Sequence, residues 1–281
     1  MIDQIDIKKM RERNPYKLPD GNVVISFSGG RTSGYMLHEI LNANGDLPDR
    51  CRVVFANTGR EMPETLDFVQ ECSERWSVPI TWVEFDEETD AQVQTVNYQS
   101  ASRDGEPFLA LIKKDKRLPD AVRRFCTRRL KIRPATKYLQ NLGWKKWSNA
   151  VGIRADEARR IKPAPVQYIK QWFPLNDAQV RKPDVMEFWG KQQQAFGFDL
   201  QLSTTSNCDG CFLKSEANLA SMWRSHPERM QWWSDMEKQM NASFRHKHSY
   251  AELGDFVRRQ GDWIFNDEAY LCQQDEGECT G

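Results

Sequence analysis

The stretch Val23-Val24-Ile25-Ser26-Phe27-Ser28-Gly29-Gly30-Arg31-Thr32-Ser33 decides the fold. An apolar, β-branched run reads as a buried strand, and it enters a tight Ser/Gly turn that opens a helix-like segment. Such a turn is built to hold phosphate. Glycines let the backbone approach an anion, amide groups at the helix start point at it, and the hydroxyls of Ser28, Thr32 and Ser33 add donors. Ser26, Ser28, Gly29, Gly30, Arg31, Thr32 and Ser33 are therefore the first candidate binding residues. No Lys-Ser/Thr closes a Walker pattern, and the glycines are adjacent, not spaced for a dinucleotide fold. The competing reading is an ordinary strand-turn-helix connection, since Ser-Gly-Gly is common in turns.

Outward from this turn, strand 23–27 is followed by a predicted helix around Gly34 to Leu41 and a strand at Arg52 to Ala56. A helix from about Glu64 to Trp76 carries Leu66, Val69, Cys72 and Trp76 at helical spacing, with Pro63 at its start. Ile80 to Phe85 reads as a third strand. The βαβαβ order predicts an α/β fold with a doubly wound, mostly parallel, Rossmann-like sheet, and ligands outside the carboxyl ends of its strands. The charged segment from Glu84 to Asp120 reads as a loop-rich excursion, 121–142 as a basic helix and Trp147 to Ile153 as a further strand. Pro163, Pro165 and Pro174 then interrupt regular structure. These breaks suggest an arm over 1–21, a nucleotide-binding α/β domain over 22–162 and a helical, Trp- and Cys-containing region over 163–281. Trp172, Trp189, Trp223, Trp232, Trp233 and Trp263 read as packing residues of that last region.

The 281-residue chain is long enough for a sizeable core. Lys plus Arg and Asp plus Glu balance at 40 each, so no global field draws in nucleic acid, although a local basic groove is compatible with this balance. The residues Met1 to Lys9 lack a signal peptide's apolar run, and no stretch approaches the ~20 apolar residues of a membrane span. A cytoplasmic protein is expected. Its seven cysteines then point to metal ligation, catalysis or burial before a disulfide framework.

In a doubly wound sheet the residues just past each strand share one rim. Three segments fall there: Ser28 to Ser33; Asn57-Thr58-Gly59-Arg60-Glu61 with Pro63-Glu64-Thr65; and Gly152-Ile153-Arg154-Ala155-Asp156-Glu157 with Arg160. Together they resemble the phosphoadenosine phosphosulfate (PAPS) reductase branch of the adenine nucleotide alpha hydrolases. The first segment looks like that superfamily's pyrophosphate loop, the second its Asn-Thr-Gly and Pro-Glu-Thr, the third its Gly-Ile-Arg segment. Family members usually carry Lys-Asp where this chain has Arg31-Thr32. The resemblance implies an adenine nucleotide, ATP or PAPS-like, as substrate. Asn57 and Thr58 could read ribose or base, and Arg154 with Arg160 could clamp phosphate or sulfate oxygens, where the arginine fork suits oxyanions; Gly59 and Gly152 are candidate binding residues beside them. Asp156 or Glu157 could ligate Mg2+. Taken alone, 154–160 also reads as a solvated helix start with acids near its N-terminus.

Cys126 lies in Arg123-Arg124-Phe125-Cys126-Thr127-Arg128-Arg129-Leu130-Lys131, with five cations within five residues, an environment that favours thiolate. This segment resembles the family's Cys-Thr-x-x-Leu-Lys. Cys208-Asp209-Gly210-Cys211 is a Cys-x-x-Cys with a Gly that permits a tight turn. Cys126, Cys208 and Cys211 make a plausible thiolate triplet for a 4Fe-4S cluster, as carried by superfamily members that install sulfur in nucleic acids or reduce sulfonucleotides. Cys272 or Cys279 could be a fourth ligand; zinc with His246 or His248, or no metal, are the alternatives. Cys51 and Cys72 read as packing residues. The tail Asp275 to Gly281 is partly similar to the family's C-terminal Glu-Cys-Gly, whose thiol attacks the sulfonucleotide, so Cys279 is a candidate nucleophile beside a frayed-terminus reading.

The functional expectation is an enzyme acting at the α-phosphate of ATP or a related adenine nucleotide in sulfur transfer, with Arg154 stabilising charge on the departing phosphates. The alternatives are a sulfonucleotide reductase using Cys279, and a nonenzymatic nucleotide-binding or nucleic-acid-associated module. Expected partners are the nucleotide and either a nucleic acid or a sulfur-donor protein.

Overall fold

The computed structural model describes residues 14–89, 92–162, 166–196 and 208–260. Six strands form one sheet in the order β4-β3-β2-β1-β5-β6. β1 (Val23–Ser26) lies at its centre, paired in parallel with β2 (Cys51–Asn57) on one side and β5 (Trp147–Ala150) on the other. β3 (Ile80–Glu84) and β6 (Ile169–Trp172) extend the parallel pairing outward, and β4 (Gln94–Val96) closes one edge antiparallel to β3. The chain first builds away from β1 toward β3 and then returns to β5. The strand order therefore reverses beside β1, where doubly wound sheets bind their ligands.

The alternation of side chains across the pleat explains why both faces are covered. Val23, Ile25, Cys51, Val53 and Phe55 enter one core, while Val24, Val54 and Val83 enter another on the opposite face. The first face is covered by α1 (Arg31–Asn44), α2 (Pro63–Arg75) and α6 (Lys182–Phe196). The second carries α4 (Arg133–Asn141), with Leu139 buried against the strands.

Several sequence expectations change in detail. The first helix starts at Arg31 and runs to Asn44, longer than the 34–41 reading. The excursion after Glu84 contains β4 and α3 (Glu106–Asp115), whose Phe108, Leu111 and Ile112 are buried at helical spacing. The strand expected over 147–153 leaves the ladder after Ala150, and β6, polar and short, was not legible as a strand. Within the basic segment, Thr127–Ile132 form a π-helix before α4 begins. Pro134 supplies the reason: its ring lacks an N–H and crowds the carbonyl four residues back, so the upstream turn widens, with the Arg133 amide bonding Arg128 O.

The helices α7 (Glu216–Ser225), α8 (Pro227–Met240) and α9 (Tyr250–Gln260) follow the short α5 (Pro174–Asp177) and α6. Trp223, Met230, Trp233, Phe244 and Tyr250 pack there with Phe108 of α3 and Cys208 in a third core. Trp189 is buried at the first core, and Trp172 and Trp232 are half-buried, consistent with packing roles; Trp263 lies outside the described residues. Among the described residues no helix is long and apolar enough to cross a membrane.

Candidate functional site

The turn after β1 is a small, self-bonded cradle. The Ser28 amide donates to Ser33 Oγ at 3.2 Å, the Ser33 hydroxyl donates to Gly30 O at 2.9 Å, and the Ser28 and Ser33 hydroxyl oxygens lie 3.0 Å apart. Gly29 adopts φ +76°, and a Cβ there would meet Thr65 Cγ2 at 2.8 Å, so only glycine serves both the turn and the packing against α2. Gly30 caps α1 with an extended backbone, and its carbonyl accepts from the Gly34 amide at 2.9 Å. Arg31 donates to Met186 Sδ at 3.4 Å, and its carbonyl accepts from Trp189 Nε1 at 2.8 Å. Ser26 is used differently from expectation: its hydroxyl donates to Asn149 Oδ1 across the sheet at 2.7 Å.

The loop after β5 closes on this cradle. A Cβ on Gly152 would lie 3.5 Å from Ser33 Cα, and Arg154 Nη1 donates to Thr32 Oγ1 at 3.1 Å. Arg154 is buried at 2% exposure and also bonds Asp156 through Nε at 3.0 Å. Burial pushes the Asp156 carboxyl up, but the Arg154 bond and charge and the Lys182 amide outweigh it and hold the group below the ordinary range. Glu157 is fully buried between Arg154, at 3.6 Å, and Arg160, which donates to it. Both carboxylates considered for Mg2+ are thus engaged by arginines, and the magnesium expectation gains no support.

The loop after β2 is fixed by two buried carboxylates. Asn57 Nδ2 donates to Glu84 Oε1 at 2.6 Å and to Ser102 O at 2.8 Å, and the Gly59 amide bonds Asn57 Oδ1 at 3.1 Å. Glu84 also accepts from the Ser102 amide and hydroxyl, each at 2.8 Å. Burial raises its carboxyl above the usual range against the pull of these donors. Glu61 accepts from the Thr58 amide at 2.8 Å and from its hydroxyl at 2.9 and 3.0 Å.

Thr58 reaches a second place. Together with Cys126, Cys208 and Cys211 it lines one pocket, whose wall also carries Arg124, Thr127 and Lys131 and the apolar Phe108, Leu130, Phe212 and Leu213. The turn carrying Cys208 and Cys211 is rigid: Asp209, fully buried, accepts from Arg60 and Arg229 at 2.6 Å each and from Trp233 Nε1 at 2.7 Å. A Cβ on Gly210 would stand 2.3 Å from Trp233 Nε1, so that position excludes a side chain. Arg245 braces the same turn through the Phe212 and Lys214 carbonyls at 2.8 and 2.9 Å. Three cysteines lining one pocket with Arg124 and Lys131 are, in kind, the donors of a cluster held by thiolates. Among the described residues no three His, Cys, Asp or Glu side chains are already gathered as a metal site. His248 pairs with Glu216 at 2.8 Å and lies outside the pocket lining, as does His246. Cys272 and Cys279 lie outside the described residues.

Sequence reasoning missed Glu84, Glu61, Asp209 and Lys131, which pairs with Glu61 at 3.7 Å, as supports of these loops. Glu84 had a signal, a carboxylate ending an apolar strand; Asp209 was visible only as a member of the Cys-x-x-Cys.

The strand reversal beside β1 and the cradle between its two loops define a doubly wound α/β protein of the nucleotide-binding kind. The chain belongs to the phosphoadenosine phosphosulfate reductase domain family, whose model matches residues 22–181. It is 36% identical over 202 residues to the uncharacterised nin region protein ORF290 of Escherichia phage lambda, a match spanning 68% of this chain and 66% of that protein, just under two thirds. The chain also matches two solved structures in part. A PAPS reductase from Candida auris in complex with phosphate is 15% identical, with a TM-score of 0.45 over 68% of this chain and 88% of that one. The U34-tRNA thiolase NcsA from Methanococcus maripaludis with its [4Fe-4S] cluster is 14% identical, with a TM-score of 0.39 over 99% of this chain and 86% of that one.

Proposed function

We propose that this protein is an enzyme that binds ATP or a related adenine nucleotide between the β1 and β5 loops and acts at its α-phosphate in sulfur transfer, with a 4Fe-4S cluster on Cys126, Cys208 and Cys211. The observation that carries this reading is the double placement of Thr58, which directly follows Asn57, the last residue of β2, and lines the cysteine pocket. Nucleotide and sulfur chemistry would then be neighbours. The hydroxyls of Ser28, Thr32 and Ser33 and the amides around Gly29 and Gly30 hold the phosphates. Arg154, aimed at Thr32 and steadied by Asp156, offsets charge on the departing phosphates. Asn57, its amide oriented by Glu84, reads ribose or base. When bound, the cluster supplies redox-active iron able to carry sulfur.

Anaerobic purification with iron and acid-labile sulfide analysis, alongside exchange of pyrophosphate into ATP, tests the reading. A brown protein with about four irons per chain and exchange lost in Arg154→Lys supports it. Colourless protein without exchange overturns it, and sulfite release from PAPS that Cys279→Ser abolishes replaces it with the reductase.

A further inference from the structure

The chain is neutral overall, but its charge is sharply divided in one place. Between residues 113 and 137 there are eleven Lys and Arg against two acids. Those two acids are consumed within the segment, Asp115 by Arg129 at 3.2 Å and Asp120 by Arg123 at 2.7 Å. Seven of the eleven cations are exposed, including Lys113, Lys116, Arg128 and Arg133. The end of α3, the 116–126 connection and the π-helix lie against one another, held by the Arg129 to Asp115 pair and by Arg117, stacked 4.8 Å from the Phe125 ring. Two more cations of the segment, Arg124 and Lys131, line the cysteine pocket.

We propose that this basic surface docks duplex nucleic acid through its phosphates, beside the cysteine pocket; that the docked duplex is the sulfur acceptor rests on the function proposed above. A duplex presents one negative charge per roughly 1.7 Å of its axis, the densest polyanion such a surface can neutralise. Arginine supplies over half of these cations and engages phosphate through two parallel bonds. The segment's only large exposed apolar residues are the aliphatic Val122 and Ile132, and its one phenylalanine, Phe125, is buried. It offers no aromatic platform for the unstacked bases of a single strand, and two separated aliphatics make a poor lipid anchor.

The test uses the full-length protein with fluorescein-labelled 20-base-pair RNA and DNA duplexes of mixed sequence, followed by anisotropy between 50 and 200 mM salt. Binding of either duplex with a steep salt dependence is expected. The double variant Arg128→Ala with Arg133→Ala should weaken it about tenfold and flatten the log-log salt slope by about two. Lys113→Ala with Lys116→Ala, at the other end of the surface, should act in the same direction, which keeps the test valid if one variant misfolds. Variants that bind as tightly as wild type, absence of duplex binding at 50 mM salt, or binding only to phosphatidylserine vesicles would each overturn the proposal. ATP binding and iron content are read in the same samples: their loss in wild type defeats the proposed function, whereas their retention without duplex binding defeats only this surface.

Discussion

Thr58 Oγ1 lies 3.3 Å from Cys208 Sγ, a contact between residues 150 apart in the chain. The neighbouring backbone joins too, as Glu61 and Cys208 form an antiparallel bridge and the Asp209 amide bonds Arg60 O at 2.8 Å. The β2 rim and the Cys-x-x-Cys turn are thus one rigid unit.

Replacing Thr58 with Val keeps the shape and removes the hydroxyl, leaving buried Glu61 short of a donor. A loss of about 1–3 kcal/mol is expected in urea unfolding, with iron content per chain reduced because Cys208 loses its neighbour. Unchanged stability and iron loading would show that the hydroxyl is incidental.

Gly29→Ala should cost about 2–4 kcal/mol, combining a left-handed backbone with a methyl forced against Thr65. Gly21→Ala is the control: φ is +78°, yet nothing lies within 4 Å of the added carbon, so about 1–2 kcal/mol is expected. Calorimetric titration with ATP should show binding lost in the first variant and kept in the second.

Arg154→Lys should retain the fold and raise the ATP dissociation constant about tenfold or more, since an ammonium cannot reproduce the fork that meets Thr32 and Asp156 together. An affinity equal to wild type in calorimetry would remove Arg154 from the phosphate site.

Two carboxyls shape stability against pH in opposite directions. Asp156 is lowered in the folded protein, so its contribution is present above the unfolded value near 3.9 and is lost as pH falls through the folded one. Glu84 is raised, so its contribution is full below the unfolded value near 4.3 and declines as pH rises through the folded one. Urea midpoints of Glu84→Gln should therefore fall less steeply than wild type as pH rises above that value. Parallel curves would contradict the assignment.

Thiol accessibility gives a further check. Burial pushes the Cys51 thiol up to about 11, against the pull of Arg50 and Arg52, and Cys72 well above its ordinary range. Cys126 and Cys211 are only half-buried. Brief alkylation of the apoprotein at pH 8, mapped by peptide mass spectrometry, should label Cys126 and Cys211 and spare Cys51 and Cys72 until denaturant is added.

The sequence alone determined the parallel sheet, because the apolar runs of β1 and β2 can be buried only when helices cover both faces, and the intervening helices declare themselves by period. It also determined the tight turn after β1, since Gly29 and the flanking hydroxyls are local chemistry. Tertiary structure decided what each loop leans on. Glu84 beneath Asn57, Glu61 beneath Thr58 and Asp209 beneath the cysteine turn are pairings across 27, 3 and, from Arg60, 149 residues. All but the shortest depend on which strands and helices become neighbours, and no window of sequence contains that information. The widening at Thr127–Ile132 follows from a proline downstream, and the placing of Cys126, Cys208 and Cys211 along one pocket from the packing of the C-terminal helices on α3.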